Sequence, residues 1–170
     1  MSDLRSAPPA PPGPADHVRG DAGWPTVVVY ADFTCPRCAL AHARLAQAPL
    51  RVGFRHFALA AKHPRSVALA AAAQAAGRQG RFWELHDALF ADPAHTDDPH
   101  LWGHARTLGL DLDRFERDRR STEVLEEVRE QTRAGIRAGV VVTPTLLALG
   151  ALLPGVPDEQ LIARLTGRIN

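Results

Sequence analysis

The stretch that decides the fold is YADFTCPRC, residues 30–38, which holds the two cysteines of the chain, Cys35 and Cys38. Its first residue, Tyr30, is the last of a β-branched apolar run, TVVVY at residues 26–30. Such runs are found in strands that are buried on both faces. Pro36 suits the first turn of a helix, where a missing N–H costs nothing. The sequence therefore predicts that both cysteines lie at the junction between a buried strand and a helix.

The bulk composition indicates a single domain. The chain has 170 residues, of which 45% are hydrophobic, and this is enough to build a core without disulfide cross-links. A formal net charge of +1 argues against a nucleic-acid-binding surface. Residues 139–153 form the longest apolar run, but Pro144 and Gly150 interrupt it, so no insertion into a membrane is expected.

A proline-rich segment opens the chain. The composition of residues 1–16 predicts a flexible N-terminal segment, and residues 17–170 are expected to form the domain. The segment lacks the apolar stretch that a secretory signal requires. We therefore expect a cytoplasmic protein, although removal of a signal would leave the same appearance.

The rest of the chain predicts an α/β fold. Residues 51–57, RVGFRHF, alternate polar and apolar side chains, as a second strand does, and the helix between the two strands implies parallel pairing. Residues 62–138 read as a helical insertion, with helices expected within residues 66–90, 101–108, 112–119 and 122–138. Gly150 predicts a tight antiparallel hairpin of residues 145–149 and 151–153, followed by a helix within 157–168. The expected order is β-α-β, helical insertion, β-β-α around a mixed central sheet.

The cysteine pair suits dithiol–disulfide exchange, which needs one thiolate that attacks and a second thiol that resolves the mixed disulfide. Cys35 is the expected attacking residue, because the free N–H groups and the dipole at a helix start stabilise an anion. Cys38, one turn further inside, is the expected resolving residue. Pro36 and the cation of Arg37 are assigned to tuning the pKa of Cys35.

A metal site is an alternative use of the two thiols. A structural zinc site needs four ligands, usually two such cysteine pairs or one pair with two histidines, and the chain has no second pair. His42 would complete a cluster with Cys35 and Cys38, but on an Ala-rich helix we expect it at the surface. We predict neither a metal nor another cofactor.

Two further polar residues, His86 and Asp32, remain to be interpreted. His86, beside Asp87, is either a proton shuttle or a histidine that is hydrogen-bonded within the insertion. Asp32, close to Cys35, is interpreted as a solvated acid at the end of a strand.

Four segments together resemble the DsbA-like branch of the thioredoxin superfamily. They are YADFTCPRC at 30–38, HPRSVALAAAAQAA at 63–76, GRFWELHDALF at 80–90 and AGVVVTPT at 138–145. The sequence HVRG at 17–20 is also similar to the lead-in of members that include domains appended to sodium/proton antiporters. The resemblance implies a thioredoxin-like fold with a helical insertion, catalysis by Cys35 and Cys38, and a cis Thr143–Pro144 bond that contacts the sulfurs and the substrate.

The sequence departs from the family pattern at two places. Val29 stands where many members hold a buried acid that relays protons, so proton transfer at Cys38 would depend on water or another group. Residues 146–153, LLALGALL, are more apolar than the usual strand pair after the cis-proline, which predicts a hydrophobic peptide-binding edge.

These observations predict a thiol-disulfide oxidoreductase that acts on protein or small-molecule dithiols and exchanges electrons with a redox partner. The alternative is a non-catalytic module that binds a partner at the cis-proline edge or senses redox state through its thiols. The physiological substrate, the direction of electron flow and the oligomeric state are left open.

Overall fold

The computed structural model describes residues 10–168. The strands in this range are β1 (His17–Arg19), β2 (Thr26–Ala31), β3 (Arg51–His56), β4 (Thr145–Ala148) and β5 (Ala151–Pro154). The helices are α1 (Pro36–Leu45), α2 (Ser66–Gly77), α3 (Phe82–Ala91), α4 (Asp98–Thr107), α5 (Leu112–Arg119), α6 (Thr122–Arg137) and α7 (Glu159–Leu165). The predicted order is confirmed, with β1 added in front.

The strands form one mixed sheet in the order β1-β3-β2-β4-β5. β2 and β3 pair in parallel, as the helical connection between them predicts, and the other three pairings are antiparallel. In the ladder between β2 and β4, Tyr30 lies opposite Thr145. This register brings the end of β2, which leads to the cysteines, beside the start of β4, which follows Pro144.

The central strand β2 is buried on both faces, as its sequence predicts. Val29 packs in the main core with residues of α1, α2 and α3. Tyr30, the next residue, packs with Phe57 and Val140 in a second core. Because alternate side chains of a strand point to opposite faces of a sheet, β2 is enclosed from both sides.

The insertion, residues 62–138, forms helices α2 to α6, as predicted. Three of these helices begin at polar N-cap residues whose side chains accept a backbone N–H of the first turn: Asp97, Asp111 and Ser121. Among the aromatic residues of α3, Phe82 and Phe90 are buried. The insertion therefore shares its core with the sheet instead of standing apart from it.

Strand β1 was not predicted. It pairs with β3 at the edge of the sheet, with Val18 opposite Gly53. Three residues are too few to show a period-two pattern, so nothing in their sequence distinguished them from a loop.

The prediction of a flexible segment at residues 1–16 falls mostly on residues 1–9, which lie outside the described range. At its other end, Asp16 forms an ion pair of 2.8 Å with Arg55 of β3. From residue 10 to residue 168, no helix is both long enough and apolar enough to cross a membrane.

Candidate active site

Cys35 and Cys38 lie where β2 meets α1, as predicted. Cys35 is the N-cap residue of α1, and Pro36 occupies the first turn. Both thiols are free, and Cys35 is partly exposed. Cys38 is only 2% exposed and packs in the main core. One sulfur therefore meets solvent while the other is enclosed.

The surroundings of Cys35 stabilise its thiolate. A hydrogen bond from the Cys38 thiol has the largest effect, and the Thr143 side chain and the backbone N–H groups of Cys38 and Arg37 add to it; together they lower the pKa of Cys35 to about 5 against the opposing effect of burial. The two N–H groups are among those that a helix start leaves without an intrahelical partner. Cys35 is therefore ionised at neutral pH.

The surroundings of Cys38 have the opposite effect. Its hydrogen bond to Cys35 and its burial both raise the pKa of the Cys38 thiol. Burial disfavours the charged form of a thiol, and the neighbouring Cys35 thiolate repels a second negative charge. Cys38 therefore keeps its proton while Cys35 is a thiolate.

The loop before β4 contacts the sulfur of Cys35. The Thr143–Pro144 peptide bond is cis, and Pro144 is buried. The carbonyl oxygen of Thr143 lies 3.6 Å from Cys35 Sγ. The Gly155 N–H, just after β5, donates a 2.8 Å hydrogen bond to the Pro144 carbonyl. The structure thus brings the predicted residues Thr143 and Pro144 together with the cysteine pair.

Asp32 is buried, so the interpretation of it as a solvated acid is wrong. It is 5% exposed, because helix α2 covers it. Its carboxylate accepts hydrogen bonds from the Thr34 N–H at 2.8 Å, from the Thr34 hydroxyl at 2.7 Å and from the Ser66 hydroxyl of α2. These bonds tie the loop that carries Cys35 to the insertion.

Pro36 and Arg37 are both exposed. The hydrogen bond by which Arg37 lowers the pKa of Cys35 comes from its backbone N–H. Its guanidinium lies beside Gly155, where a Cβ atom would be 3.3 Å from Arg37 Nη2. Tuning by the Pro36 ring and by the Arg37 charge stays a prediction.

A second polar cluster lies near Cys38, where β1, α1 and α3 meet. His86 Nδ1 is 2.8 Å from Asp87 Oδ1, and Arg19 Nη1 donates to both Asp87 oxygens at 2.9 Å. His42 Nδ1 is 3.2 Å from Arg19 Nη2, and its ring meets the His86 ring edge-on with 4.7 Å between centroids. His86 therefore makes a hydrogen bond within the insertion, and His42 is half-buried, contrary to the expectation of a surface residue.

The cluster also bears on the metal-site alternative. His42, His86 and Asp87 hold potential ligand atoms within 4.8 Å of one another, and neither cysteine joins this group. The predicted alternative of Cys35 and Cys38 with His42 is therefore not assembled. Arg19 bonds to both Asp87 oxygens, and its positive charge opposes a metal ion at the same place.

Sequence reasoning missed Arg19 and Ser66 as neighbours of the cysteines. For the polar cluster that contains Arg19, the sequence held one usable signal. Cys38 and His42 are four residues apart, so they share a face of one helix. No such signal pointed to Ser66, whose bond to Asp32 joins residues 34 positions apart.

The sheet order, the free cysteine pair at a helix start and the adjacent cis-proline loop define a thioredoxin-fold protein with a dithiol site. A family model described as a DSBA-like thioredoxin domain matches residues 26–166. The chain belongs to this family, and the family assigns it, at a general level, to the thiol-disulfide oxidoreductases.

The curated relatives are much longer proteins. The chain is 38% identical over 141 residues to the Na(+)/H(+) antiporter NhaA 1 of Salinispora arenicola, a match that covers 79% of this chain and 22% of the antiporter. It is 35% identical over 156 residues to the Na(+)/H(+) antiporter NhaA of Herminiimonas arsenicoxydans, covering 86% of this chain and 24% of that protein. The chain thus spans about a quarter of the length of these relatives.

Solved structures of similar chains share the fold. A thioredoxin-like oxidoreductase from Silicibacter pomeroyi superposes with a TM-score of 0.79 at 26% identity, covering 92% of each chain. The alpha-DsbA1 of Wolbachia pipientis gives a TM-score of 0.77 at 20% identity, covering 92% of this chain and 94% of that one. BdbD of Bacillus subtilis, in its oxidised form, gives 0.75 at 16% identity, covering 91% and 92%. At these last two identities the likeness concerns the fold alone.

Proposed function

We propose that this chain exchanges disulfides with protein or small-molecule dithiols through its CPRC pair and needs no cofactor to do so. The observation that carries the proposal is the contrast between the two sulfurs. Cys35 is accessible and its pKa is lowered to about 5, whereas Cys38 is enclosed and its pKa is raised. An attacking thiolate and a protonated resolving thiol are the two partners that dithiol exchange requires.

In the reducing direction, the Cys35 thiolate attacks one sulfur of a substrate disulfide and the other substrate sulfur leaves as a thiolate. The Cys38 thiol then loses its proton and attacks Cys35. The Cys35–Cys38 disulfide forms and the substrate leaves with both of its sulfurs reduced. In the oxidising direction the same steps run backwards, and two electrons move from the substrate dithiol to the protein disulfide.

The loop that contacts Cys35 is the proposed holding site for the substrate chain. Thr143 and Pro144 adjoin the attacking sulfur, and Val141 and Val142 before them are 79% and 41% exposed. Exposed valines beside a reactive sulfur favour an apolar peptide segment as the substrate.

A second candidate function is a partner-binding or redox-sensing module. It is favoured by the antiporter relatives, of which the chain matches about a quarter, and by the same exposed valines. In this proposal the module responds to thiol oxidation and acts on one attached or bound partner. A cytoplasmic location would suit such a sensor or a reductase, and fractionation of cells that express the full-length natural protein would test it.

The deciding experiment is the reduction potential of the Cys35–Cys38 couple, measured by equilibration in glutathione buffers with a Cys35→Ser control. A potential above about −200 mV marks an oxidase or isomerase, and one below about −250 mV marks a reductase. A chain that forms no disulfide under any buffer ratio contradicts the oxidoreductase proposal.

A Cys38→Ser variant separates the two candidate functions. Without the resolving thiol, mixed disulfides at Cys35 should accumulate with many client proteins if the chain is an oxidoreductase. If the chain is a binding module, one partner should bind even when both cysteines are replaced.

A further inference from the structure

The resolving step requires a proton to leave an enclosed sulfur. Cys38 is 2% exposed, and its thiol must lose a proton when it attacks the mixed disulfide at Cys35. Val29, on the strand beside it, has no group that can take this proton. The proton must therefore pass to water or to another group near Cys38.

A small cavity joins Cys38 to the two histidines of the second cluster. Its volume is about 20 Å³, and its lining includes Cys38, Val29, His42 and His86. The two imidazole rings are therefore the groups in this lining that can accept a proton from Cys38, because the Arg19 guanidinium, which also lines the cavity, is already a cation.

The hydrogen bonds decide which histidine has a nitrogen free to accept. The Asp87 carboxylate, paired with Arg19, accepts from His86 Nδ1 at 2.8 Å, so the neutral His86 ring carries its proton on Nδ1 and keeps Nε2 as an acceptor. His42 is placed differently, because Arg19 Nη2 donates to its Nδ1 at 3.2 Å and its Nε2 lies 3.5 Å from Asp87. Both nitrogens of His42 are thus engaged.

We propose that His86 accepts the proton of Cys38 during the resolving step, and that Asp87 orients the ring and passes the proton to solvent. This inference rests on the proposed oxidoreductase function. The Cys38 S–H bond breaks, the Cys38–Cys35 bond forms, the substrate sulfur leaves as a thiolate, and the proton moves to His86 Nε2. The Asp87 side chain is 47% exposed, so it connects the buried ring to water. Reduction of the protein disulfide returns the proton by the same route.

The charges around His86 suit a carrier that does not retain the proton. Burial lowers the pKa of His86 to about 4, and His42 from α1 and Arg19 from β1 oppose its protonation, while Asp87 favours it. His56 on β3 also interacts with His86. A protonated His86 is therefore a transient species, which releases its proton once the disulfide has formed.

The test separates the two sulfur steps in one reaction. Reduced protein is mixed with dithiobis(nitrobenzoate), an aromatic disulfide, and the coloured thiolate is followed by stopped-flow absorbance. The first release reports attack by Cys35, and the second reports attack by Cys38 on the mixed disulfide. We expect His86→Phe to leave the first phase unchanged and to slow the second by about ten-fold, less than the roughly 10²–10⁴-fold contributed by a general base whose pKa lies near the working pH.

The choice of phenylalanine keeps the packing, because His86 lies among the rings of Phe33, Phe54, Trp83 and Phe90. Asp87→Asn is the second variant. It changes a half-exposed residue and should also slow the second phase selectively. His56→Phe is the matched control, since it replaces another buried imidazole that is absent from the cavity lining, and both phases should keep their wild-type rates.

The outcomes distinguish this inference from the function on which it rests. A wild-type protein that never releases the second thiolate contradicts the oxidoreductase proposal itself. If the wild type completes both phases, the relay is overturned by an unchanged second phase in His86→Phe and Asp87→Asn, or by equal slowing of both phases. Selective slowing in His42→Gln with none in His86→Phe would overturn it as well, by making His42 the acceptor.

Discussion

Two cysteines on one helical turn have opposite acid–base properties because of where the turn begins. Cys35 occupies the N-cap, where backbone N–H groups face its sulfur, and its pKa falls to about 5. Cys38 lies one turn further, in the core, and its pKa rises. The same four residues thus hold a ready nucleophile and a thiol that reacts only when its proton is removed.

This contrast predicts the alkylation behaviour of the reduced protein. Iodoacetamide should modify Cys35 with a rate that rises to half its maximum near pH 5, while Cys38 stays unmodified in the folded protein. Because the pKa of Cys35 is lowered, the reduced protein is stabilised relative to the disulfide. This stabilisation is complete at a pH above the pKa of an ordinary thiol, and it is lost as the pH falls through about 5. Mass spectrometry of the alkylated protein measures the modification of each cysteine at each pH, with Cys35→Ser as the control. A rate that reaches half its maximum only near about pH 8.5, the pKa of an ordinary thiol, would contradict the prediction.

At this scale the sequence predicts the position of the cysteine pair better than it predicts the residues that contact the pair. The cysteine spacing and the position of Pro36 identify the helix start without any knowledge of the fold. Asp32 could not be interpreted correctly in the same way, because its burial depends on α2 and its partner Ser66 lies 34 positions away. Motifs within one turn are readable from sequence, whereas contacts between distant segments require the fold.

Among the elements, α6 packs closely against the face of the sheet that holds Tyr30 and Phe57. Gly135 allows this approach. A Cβ atom at Gly135 would lie 2.8 Å from Phe57 Cδ2 and 3.2 Å from Tyr30 Cδ1, and both rings are almost completely buried. The absence of a side chain at this one position sets how near the helix can pack.

A matched pair of glycine substitutions tests this packing. Gly135→Ala should lower the free energy of unfolding by about 1–3 kcal/mol, since the overlap with two buried rings outweighs the better helix propensity of alanine. Gly103, in the middle of α4, has nothing within 4 Å of an added Cβ, so Gly103→Ala should raise the free energy of unfolding by up to about 1 kcal/mol. Urea unfolding measures both, and equal effects at the two glycines would contradict the assigned packing.

The sequence predicts the long elements and misses the shortest. Helices α4, α5 and α6 follow Asp97, Asp111 and Ser121, side chains that favour helix starts. Strand β1 has no comparable signal, since its place is set by pairing with β3. Because β1 was not predicted, the contacts that its residue Arg19 makes with Asp87 and His42 were not predicted either.

On the scale of the molecule, the sheet and the helical insertion share one continuous core. Val29 and Phe54 of the sheet belong to the same buried cluster as Leu85, Leu101 and Phe115 of the insertion. The hydrogen bond from Ser66 to Asp32 and the ion pair of Arg19 with Asp87 join the two parts at the cysteine site. An insertion that packs in this way has no separate core on which to fold alone, so the whole chain should unfold as one unit.

Two probes in one titration test this cooperativity. In a Cys35→Ser background, far-ultraviolet circular dichroism reports mainly the helices of the insertion, whereas pulsed alkylation of the buried Cys38 reports opening of the sheet side. The two urea transitions should coincide. Leu101 of α4 is fully buried, so Leu101→Ala should shift both midpoints together and lower the free energy of unfolding by about 2–5 kcal/mol. Leu40 is exposed, so Leu40→Ala, the control, should shift neither midpoint appreciably. An insertion that melts at lower urea while Cys38 stays protected would show that the two parts are independent units, and the site would then keep its thiols but lose the α3 residues proposed to serve Cys38.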